Sequence, residues 1–496
     1  MGSRLPSSAH QPSELPTGDF EAVIGLEIHA QLLTASKIFC GCSTAFGAAP
    51  NTHICPVCIG LPGALPVLNR SAVDYAIRAG LALGCTVQPH SVFARKNYFY
   101  PDLPKGYQIS QYELPIATGG LVEFPVGGEM RRVGITRVHM EEDAGKSLHE
   151  GFADADRKSY VDFNRSGVPL IEIVSEPDLR SAADAAGFFS HLRAILVWLG
   201  VNDGNMEEGS LRCDANVSVR RRGETALGTK AEVKNLNSFR FLQKALEHEI
   251  ARQIEIVADG GRVVQETRLW DAAAGCTAAM RSKEEAHDYR YFPEPDLPPV
   301  ILDAERIERI RTAMPELPGP RRRRFVETFG LPDYDAAQLT QSRSVAEYFE
   351  ATVRAGAPAK AASNWIMGEL ARALNEQGLD MSSSPLDAER LAGLIALVDK
   401  GTLSGSMAKG VFETMFRSIR TAADIVAAEG LAQIDDDAQI VALIADVLAA
   451  HPDPVAQYRG GKTTTFGFLV GKVMKAAGGK ANPKRVNDLL RRALEA

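Results

Sequence analysis

Acidic and histidine side chains alternate with apolar ones in strand-like parts of this sequence, and that spacing limits how the chain can fold. In an extended strand, residues two positions apart point to the same face of a sheet. Glu27 and His29 therefore share a face, and so do His139 and Glu141, the latter opening a run of three acids that ends at Asp143. Two such strands side by side would form an oxygen-rich pocket with imidazole at its edge, which suits a magnesium ion carrying phosphates. The alternative is a solvated acidic turn, since runs of charge usually face water.

Three more segments combine charged residues with strand-like alternation. Glu172 lies inside an apolar strand, where a carboxylate is costly unless it binds a partner. The other two are an acid-rich turn leading into a strand and a segment with lysines among acids, a combination that fits a phosphate held with its metal. Their candidate residues are Glu207, Glu208, Asp214, Lys230, Glu232 and Lys234. Each segment alone could be a sheet face crossed by salt bridges, but four repeats of the combination favour a nucleotide site.

Two close pairs of cysteines form another cluster. Cys40 and Cys42 are followed after 12 residues by Cys55 and Cys58. Two such knuckles can place four thiolates tetrahedrally around zinc and leave no open position for catalysis. The alternatives are unpaired thiols or a redox pair. The total of seven cysteines, without a secretory signal, favours reduced thiols and a cytoplasmic location.

A chain of 496 residues is too long for one core, and its length suggests about three domains. Short β-branched strands mix with a few long helices in the first part without strict alternation, which predicts an α+β class with a mixed sheet. Helical spacing predicts helices over 71–83, 184–199 and 239–257. A cluster of prolines then marks a boundary, and helices dominate beyond it. The predicted regions are a disordered leader (1–18), an α+β domain (19–293), an all-helical domain (294–405) and a small helical tail domain (406–496).

Charge and hydropathy narrow the class of partner. The net charge of -7 does not indicate a nucleic-acid binder by itself, and no apolar run approaches the ~20 residues that span a bilayer. The segment 459–496, however, carries nine Lys or Arg against two acids. This basic tail is either a soluble helix end or a surface that contacts a phosphate backbone.

Several common catalytic motifs are missing from the sequence. It has no Gly-x-Ser-x-Gly elbow, no His-Glu-x-x-His zinc-protease motif and no Rossmann fingerprint. Gly461-Lys462-Thr463 resembles the end of a P-loop, but Ala456 stands where that motif needs its first glycine. If ATP is used, it must be held by carboxylates and magnesium and not by a glycine loop.

Longer motifs across the chain resemble a known family. They are 23–29, 95–111, 139–146, 207–214 and 288–296. Together they resemble the B subunit of the aspartyl/glutamyl-tRNA(Asn/Gln) amidotransferases, the GatB family, from about residue 20 to the C-terminus. The resemblance implies a cradle domain with a kinase-type site, followed by a helical domain and a YqeY-like tail domain that bind tRNA.

The family resemblance also implies a reaction and partners. ATP phosphorylates the side-chain carboxylate of Glu-tRNA(Gln) or Asp-tRNA(Asn), and ammonia then converts the acyl phosphate to the amide. Ammonia would come from a glutaminase A subunit, and a small C subunit would complete a heterotrimer. The absence of a glutaminase motif here agrees with that division of labour.

Carried onto this chain, the family resemblance assigns roles to the candidate residues. Magnesium would be bound by Glu27, His29, Glu141, Glu142 and Glu172. The rest of the site would be formed by Glu207, Glu208, Asp214, Lys230, Glu232 and Lys234. Cys40, Cys42, Cys55 and Cys58 would bind a structural zinc. The alternatives are a non-catalytic, zinc-stabilised RNA-binding scaffold and a free-standing ligase that uses soluble ammonia.

Overall fold

The computed structural model describes residues 17–148, 154, 157–280, 289–431, 436–478, 481 and 483–495. Nearly all of the predicted leader, 1–18, lies outside the described residues. The chain divides into two compact units, the first ending at Leu317 and the second beginning at Pro318. In the part of the chain that the structure describes, no helix has both the length and the apolar character that crossing a membrane requires.

All strands within the described residues belong to the first unit. They are β1 (Phe20–Gln31), β2 (Thr86–Val87), β3 (His90–Ser91), β4 (Ala94–Asn97), β5 (Tyr107–Ser110), β6 (Ala117–Val126), β7 (Glu129–Glu142), β8 (Lys146–Leu148), β9 (Tyr160–Asp162), β10 (Pro169–Ser175), β11 (Leu211–Arg221), β12 (Ala231–Lys234), β13 (Thr267–Asp271), β14 (Cys276–Ala279), β15 (Phe292–Pro293) and β16 (Val300–Ile301). Within the described residues the main sheet has nine strands in the order β14-β13-β12-β11-β1-β10-β7-β6-β2. β12 and β13 are parallel and the other pairs with a described register are antiparallel, so the sheet is mixed.

Helices cover one face of this sheet and make up most of the second unit. In the first unit they are α1 (Arg70–Ala82), α2 (Ala182–Trp198), α3 (Phe239–Ala258) and α4 (Ala304–Ala313). In the second unit they are α5 (Pro318–Phe329), α6 (Asp333–Leu339), α7 (Arg343–Arg354), α8 (Ala359–Trp365), α9 (Ala371–Glu376), α10 (Ala388–Asp399), α11 (Gly405–Phe416), α12 (Ala422–Glu429), α13 (Asp437–Ala450), α14 (Pro452–Arg459), α15 (Thr465–Ala476) and α16 (Pro483–Glu495). The remaining helical turns are 3-10 turns at Thr17–Asp19 and Met381–Ser383 and a π turn at Ile366–Leu370. The predicted α+β class, with a mixed sheet followed by helices, is confirmed.

Alternation along β1 explains why the sheet has one apolar and one polar face. Ile24, Leu26 and Ile28 are fully buried and belong to a core that also contains Phe188 of α2 and Leu242 of α3. The intervening residues of β1 therefore point to the opposite face. Burial of the apolar face against α1, α2 and α3 fixes the register, since a slip by one residue would exchange the two faces.

The long helices form where the sequence supplies caps and a periodic apolar stripe. Ser181 caps α2 by accepting a hydrogen bond from the Asp184 amide at 3.0 Å, and Ser238 caps α3 in the same way through the Phe241 amide at 3.1 Å. α2 ends just before Gly200, which has a φ of +66°. These helices position the sheet, because their buried faces pack on its apolar side.

The first unit extends beyond residue 293, where the sequence predicts a domain border. β16, which lies beyond that border, pairs with β3. Farther on, Arg306 of α4 donates to Asp74 of α1 at 2.7 Å, and the Trp198 indole donates to the Glu316 carbonyl at 2.9 Å. Residues 294–317 therefore pack on the α+β part of the chain.

Besides the main core, the described residues form two smaller apolar clusters, one in the helical tail and one at the start of β1. α13, α15 and α16 bury Ile440, Leu469 and Leu490 in one small core. A second small cluster joins Phe20 and Ile254 at the start of β1 and the end of α3. The helical tail is thus a packed element in its own right, built from an amphipathic pattern.

We expect Gly120→Ala to lower the free energy of unfolding by roughly 1–3 kcal/mol, because its new methyl group overpacks the contact between β6 and the end of α1. A Cβ there would lie 2.5 Å from the Leu83 carbonyl oxygen and 2.6 Å from the Cys85 sulfur. Chemical denaturation should show the shift. Gly393→Ala is the matched control: it lies within α10 with nothing inside 4 Å, so it should be neutral or stabilising. A Gly120→Ala chain as stable as the wild type would contradict this close approach.

Candidate active site

The polar face of the main sheet carries most of the predicted site residues. Directly paired residues of antiparallel strands point to the same face. His29 of β1 pairs with Glu172 of β10, which in turn pairs with His139 of β7. On the other side of β1, Glu27 pairs with Asp214 of β11. Five neighbouring strands, from β12 to β7, thus contribute to one surface.

At the centre of this surface, two histidines and two glutamates form a buried cluster. His29 Nε2 lies 3.5 Å from Glu172 Oε2 and 3.8 Å from Glu141 Oε1. His139 Nε2 lies 3.1 Å from the same Glu172 oxygen. Ser110 of β5 donates its hydroxyl to Glu141 at 3.1 Å from above the sheet. We call His29, Glu141 and Glu172 the acidic trio; they offer ligand atoms that all lie within 4.8 Å of one another.

The electrostatics of this cluster favour bound positive charge. Burial by itself lowers the pKa of His139, but the Glu172 and Glu141 carboxylates raise it to about 9. Burial raises the pKa of Glu172, yet the imidazoles of His139 and His29 hold it well below its usual value. The two carboxylates therefore stay ionised, with positive charge beside them that either protonated imidazoles or a bound cation can supply. Two carboxylates and one imidazole fit a divalent cation that prefers oxygen ligands, such as Mg2+ or Mn2+.

Glu27 lies on the same face but outside the acidic trio. Its carboxylate accepts a hydrogen bond from the Asn216 side chain at 2.9 Å. Burial and the neighbouring carboxylates of Glu172 and Glu232 raise its pKa. A cation bound by the acidic trio would reduce the repulsion between Glu27 and these carboxylates. Glu27 is therefore better placed to interact with such a cation through its charge than as one of the trio's ligands.

Glu142 also lies outside the acidic trio, because adjacent residues of a strand point in opposite directions. Its carboxylate pairs with Lys105 and accepts the Ile109 amide at 2.8 Å. Its backbone carbonyl accepts the Gln108 side chain at 2.7 Å. These contacts already neutralise Glu142, and they anchor β5 above β7. Its predicted role as a metal ligand stays a prediction without direct geometric support.

The remaining predicted residues divide into a paired group and an exposed group. Lys234 of β12 lies 2.8 Å from Asp214 and 3.0 Å from Glu232, so one lysine joins two acids on the polar face. Burial opposes its charge, but these two carboxylates raise its pKa. The exposed side chains are those of Glu207, Glu208 and Lys230. Among the described contacts none links these three to the acidic trio.

Sequence reasoning missed several residues around the acidic trio. Arg212 donates to the buried Asp143 at 3.1 Å, and Gln31 donates to the other oxygen of that carboxylate at 2.7 Å. Lys96 of β4 places its ammonium within electrostatic reach of Glu141 and Glu172. Arg212 could have been found, since it is two residues before Asp214 in an alternating strand.

The four predicted cysteines converge at a second cluster. Their sulfur atoms all lie within 4.8 Å of one another. The Cys55 amide donates to the Cys58 sulfur at 3.0 Å, and the neighbouring Cys40 thiol is the main cause that lowers the pKa of Cys58 to about 4. Four sulfur ligands with no other donor are the set that structural zinc prefers.

A fully buried lysine lies beside the cysteine cluster. Lys37 donates to the backbone carbonyls of His53 at 2.7 Å and Phe163 at 3.3 Å, and its charge helps to lower the pKa of Cys58. A buried ammonium is costly without a negative partner. Four thiolates around a divalent ion carry a net charge of about -2, which such a lysine balances. The Cys58 carbonyl also accepts the Ser166 hydroxyl at 2.9 Å, so the cluster anchors the segment that leads into β10.

Comparison with known proteins shows which family this chain is similar to. The GatB/GatE catalytic domain matches residues 22–308, and the GatB domain matches residues 347–494. The B subunit of the aspartyl/glutamyl-tRNA(Asn/Gln) amidotransferase from Geobacter sulfurreducens is 56% identical, over 96% of this chain and 100% of that protein. The protein of the same name from Thermodesulfovibrio yellowstonii is 56% identical, over 96% and 99%. The protein of the same name from Anaeromyxobacter sp. strain K is 59% identical, over 97% of this chain and 100% of that protein.

Proposed function

Because this chain belongs to the family of aspartyl/glutamyl-tRNA(Asn/Gln) amidotransferase B subunits, we propose that its acidic trio is where ATP phosphorylates an amino acid carried by tRNA. The substrate is Glu on tRNA(Gln) or Asp on tRNA(Asn). The protein is one subunit of a glutamine-hydrolysing ligase. The observation that carries the proposal is the buried convergence of His29, Glu141 and Glu172 on one face of the sheet.

The reaction needs phosphorylation because a carboxylate does not react with ammonia at neutral pH. One side-chain carboxylate oxygen attacks the γ-phosphorus of ATP, the bond to the β-γ bridging oxygen breaks, and ADP leaves. Ammonia then attacks the carbonyl carbon of the acyl phosphate. Inorganic phosphate leaves with the original carboxylate oxygen, and the nitrogen loses a proton to give the amide. Positioning and charge neutralisation account for most of the catalysis in such a transfer.

His29, Glu141 and Glu172 would hold the divalent cation. When bound, that ion neutralises charge on the transferring phosphoryl group. His139 donates to Glu172 from the side of β7 and so orients this carboxylate. Lys96 faces the same carboxylates from β4, where its ammonium is available to a phosphate oxygen.

The other expected components are assigned as part of the same proposal. Cys40, Cys42, Cys55 and Cys58 bind a structural zinc. A glutaminase A subunit supplies ammonia and a small C subunit completes the heterotrimer. The basic tail contacts the tRNA backbone, as cationic surfaces do with folded RNA. The alternative of a non-catalytic scaffold is less well supported, because the relatives are named as amidotransferase subunits.

An isotope experiment tests the order of bond making. The assembled enzyme receives ATP, glutamine and Glu-tRNA(Gln) or Asp-tRNA(Asn) whose side-chain carboxylate is labelled with oxygen-18. We expect the released inorganic phosphate to carry one labelled oxygen, because that oxygen leaves with the phosphoryl group. Mass spectrometry of the phosphate gives the result.

The control uses the same labelled aminoacyl-tRNA without ATP, which should give no labelled phosphate. Label recovered in AMP would indicate adenylation, and unlabelled phosphate would indicate hydrolysis by water; either result contradicts the proposal. Ammonium supplied to this chain alone separates the heterotrimer from a free-standing ligase. Efficient amide formation in that case would make the glutaminase partner unnecessary.

A further inference from the structure

A cavity of about 600 Å³ opens beside the small sheet formed by β15, β4 and β5, and nothing in the reaction above assigns it. Its lining is mainly aromatic and apolar, with one acid, Glu113, and one base, Arg290. The lining residues that matter most are Tyr112, Glu113, Leu114, Tyr289, Tyr291 and Phe292. Ligand sites are typically concave, within about 300–1,000 Å³, and lined by aromatic side chains with a few polar groups.

The aromatic side chains of this cavity present flat surfaces that water still reaches. The Tyr112 and Tyr291 rings are stacked with their centroids 4.3 Å apart and an interplanar angle of 6°. Tyr289 meets Tyr291 edge-on, with centroids 6.0 Å apart. Tyr112, Leu114 and Phe292 are each between 44% and 46% exposed. Exposed aromatic rings in a concave surface are suited to stacking on another planar group.

The cavity adjoins the acidic trio through strands β4 and β5. Ala94 lines the cavity and pairs with Ser110, whose hydroxyl donates to Glu141 at 3.1 Å. Lys96 is two residues beyond Ala94 and therefore on the same face of β4. Its ammonium lies 4.8 Å from the centroid of the Tyr289 ring and within electrostatic reach of Glu141. Aromatic surface, ammonium and carboxylates thus follow one another in that order.

This order matches that of a nucleotide, whose base, phosphate and metal-bound oxygen also follow one another. We propose that the cavity binds an adenosine, with its base stacked on the Tyr112–Tyr291 pair and its phosphate side directed at Lys96. Glu113 can accept a hydrogen bond from the 6-amino group of adenine, whereas it would repel the 6-oxygen of guanine. The proposal rests on the proposed function, in which two reactants carry an adenosine: ATP, and the 3′ end of tRNA.

The first arm of the test measures ATP. Tyr112→Ala should weaken binding of ADP to the full-length chain, measured without tRNA, by roughly 5- to 160-fold, since stacking on one ring is worth about 1–3 kcal/mol per base. Tyr334→Ala is the matched control, because Tyr334 is an exposed tyrosine of the helical unit (70%). Its ADP affinity should equal that of the wild type.

The second arm measures the tRNA end. If the cavity holds the terminal adenosine of tRNA, the wild type binds tRNA that lacks this nucleotide less tightly than complete tRNA. Tyr112→Ala then binds both tRNAs equally, and its ADP affinity is unchanged. Loss in the ADP arm assigns the cavity to ATP, and loss in the tRNA arm assigns it to tRNA. A Tyr112→Ala chain that changes neither overturns the proposal.

Two further measurements distinguish loss of the adenosine site from misfolding and from failure of the proposed phosphoryl transfer. Phe292→Ala removes another exposed ring of the cavity and should reproduce the effect of Tyr112→Ala, with the thermal midpoint of both variants unchanged. The oxygen-18 experiment reports on phosphoryl transfer independently. Unlabelled phosphate together with a Tyr112 effect refutes the phosphoryl transfer and keeps the adenosine site. Labelled phosphate without any Tyr112 or Phe292 effect refutes the adenosine site alone.

Discussion

Replacing Glu141 with glutamine is expected to reduce tRNA-dependent ATP cleavage on the order of 10³-fold while leaving tRNA affinity unchanged. Glutamine keeps the shape of the side chain and its contact with the Ser110 hydroxyl. It removes one of the two negative charges that face His29 and His139. With only the Glu172 carboxylate left, the site binds a divalent cation more weakly. The negative charge on the transferring phosphoryl group is then no longer neutralised by that cation.

The kinetics of related variants sharpen this expectation. Glu172→Gln should cost as much as Glu141→Gln, and the double variant little more than either, because residues that act as one unit are not additive. ADP formation and amide formation are measured separately, together with tRNA binding. Glu123→Gln is the matched control, since Glu123 is an exposed acid of β6 whose partner is Arg132. If Glu141→Gln kept wild-type turnover, the acidic trio would not be the site of phosphoryl transfer.

The second large effect concerns the cysteine cluster. Cys58→Ser should abolish zinc binding and lower the free energy of unfolding on the order of 5 kcal/mol. That is less than the about 10–16 kcal/mol by which zinc stabilises isolated finger peptides, because the first unit has a core of its own. Without the metal, the four-thiolate charge that balances the fully buried Lys37 is lost as well.

Metal content by elemental analysis and the thermal midpoint check this prediction. The wild type should contain one zinc per chain, and a chelator should lower its midpoint towards that of Cys58→Ser. Cys276→Ser is the matched control, because Cys276 lies on β14 and outside the cysteine cluster. A metal-free wild type of undiminished stability would show that the four thiols do not form a structural site.

The elements that sequence alone predicts here are those with a local pattern. Helical spacing predicts 239–257, and the structure has α3 at Phe239–Ala258. Period-two alternation predicts a shared face for Glu27 and His29, which the register of β1 confirms. The same alternation places the side chains of Glu141 and Glu142 on opposite faces of β7, and metal binding by Glu142 stays a prediction.

Features that depend on distant pairing are invisible to local patterns. Lys96 and Ser110 reach the acidic trio only because β5 packs against β7. Prolines from residue 293 onward predict a break, yet β15 and β16 pair with strands about 200 residues earlier. Proline ends helices and is tolerated in such short edge strands. A single sequence does not encode these pairings in any short-range signal.

The position of β1 in the sheet has a consequence for synthesis on the ribosome. Among the described strands β1 comes first in the chain and fifth of nine in the sheet order, but its neighbours β10 and β11 begin only at Pro169 and Leu211. At about 5–20 residues per second, β11 emerges roughly 9 to 36 s after β1. During that time Ile24, Leu26 and Ile28 of β1 lack the neighbouring strands that complete the sheet around them. The apolar face of β1 therefore stays without its sheet neighbours while most of the first unit is being synthesised.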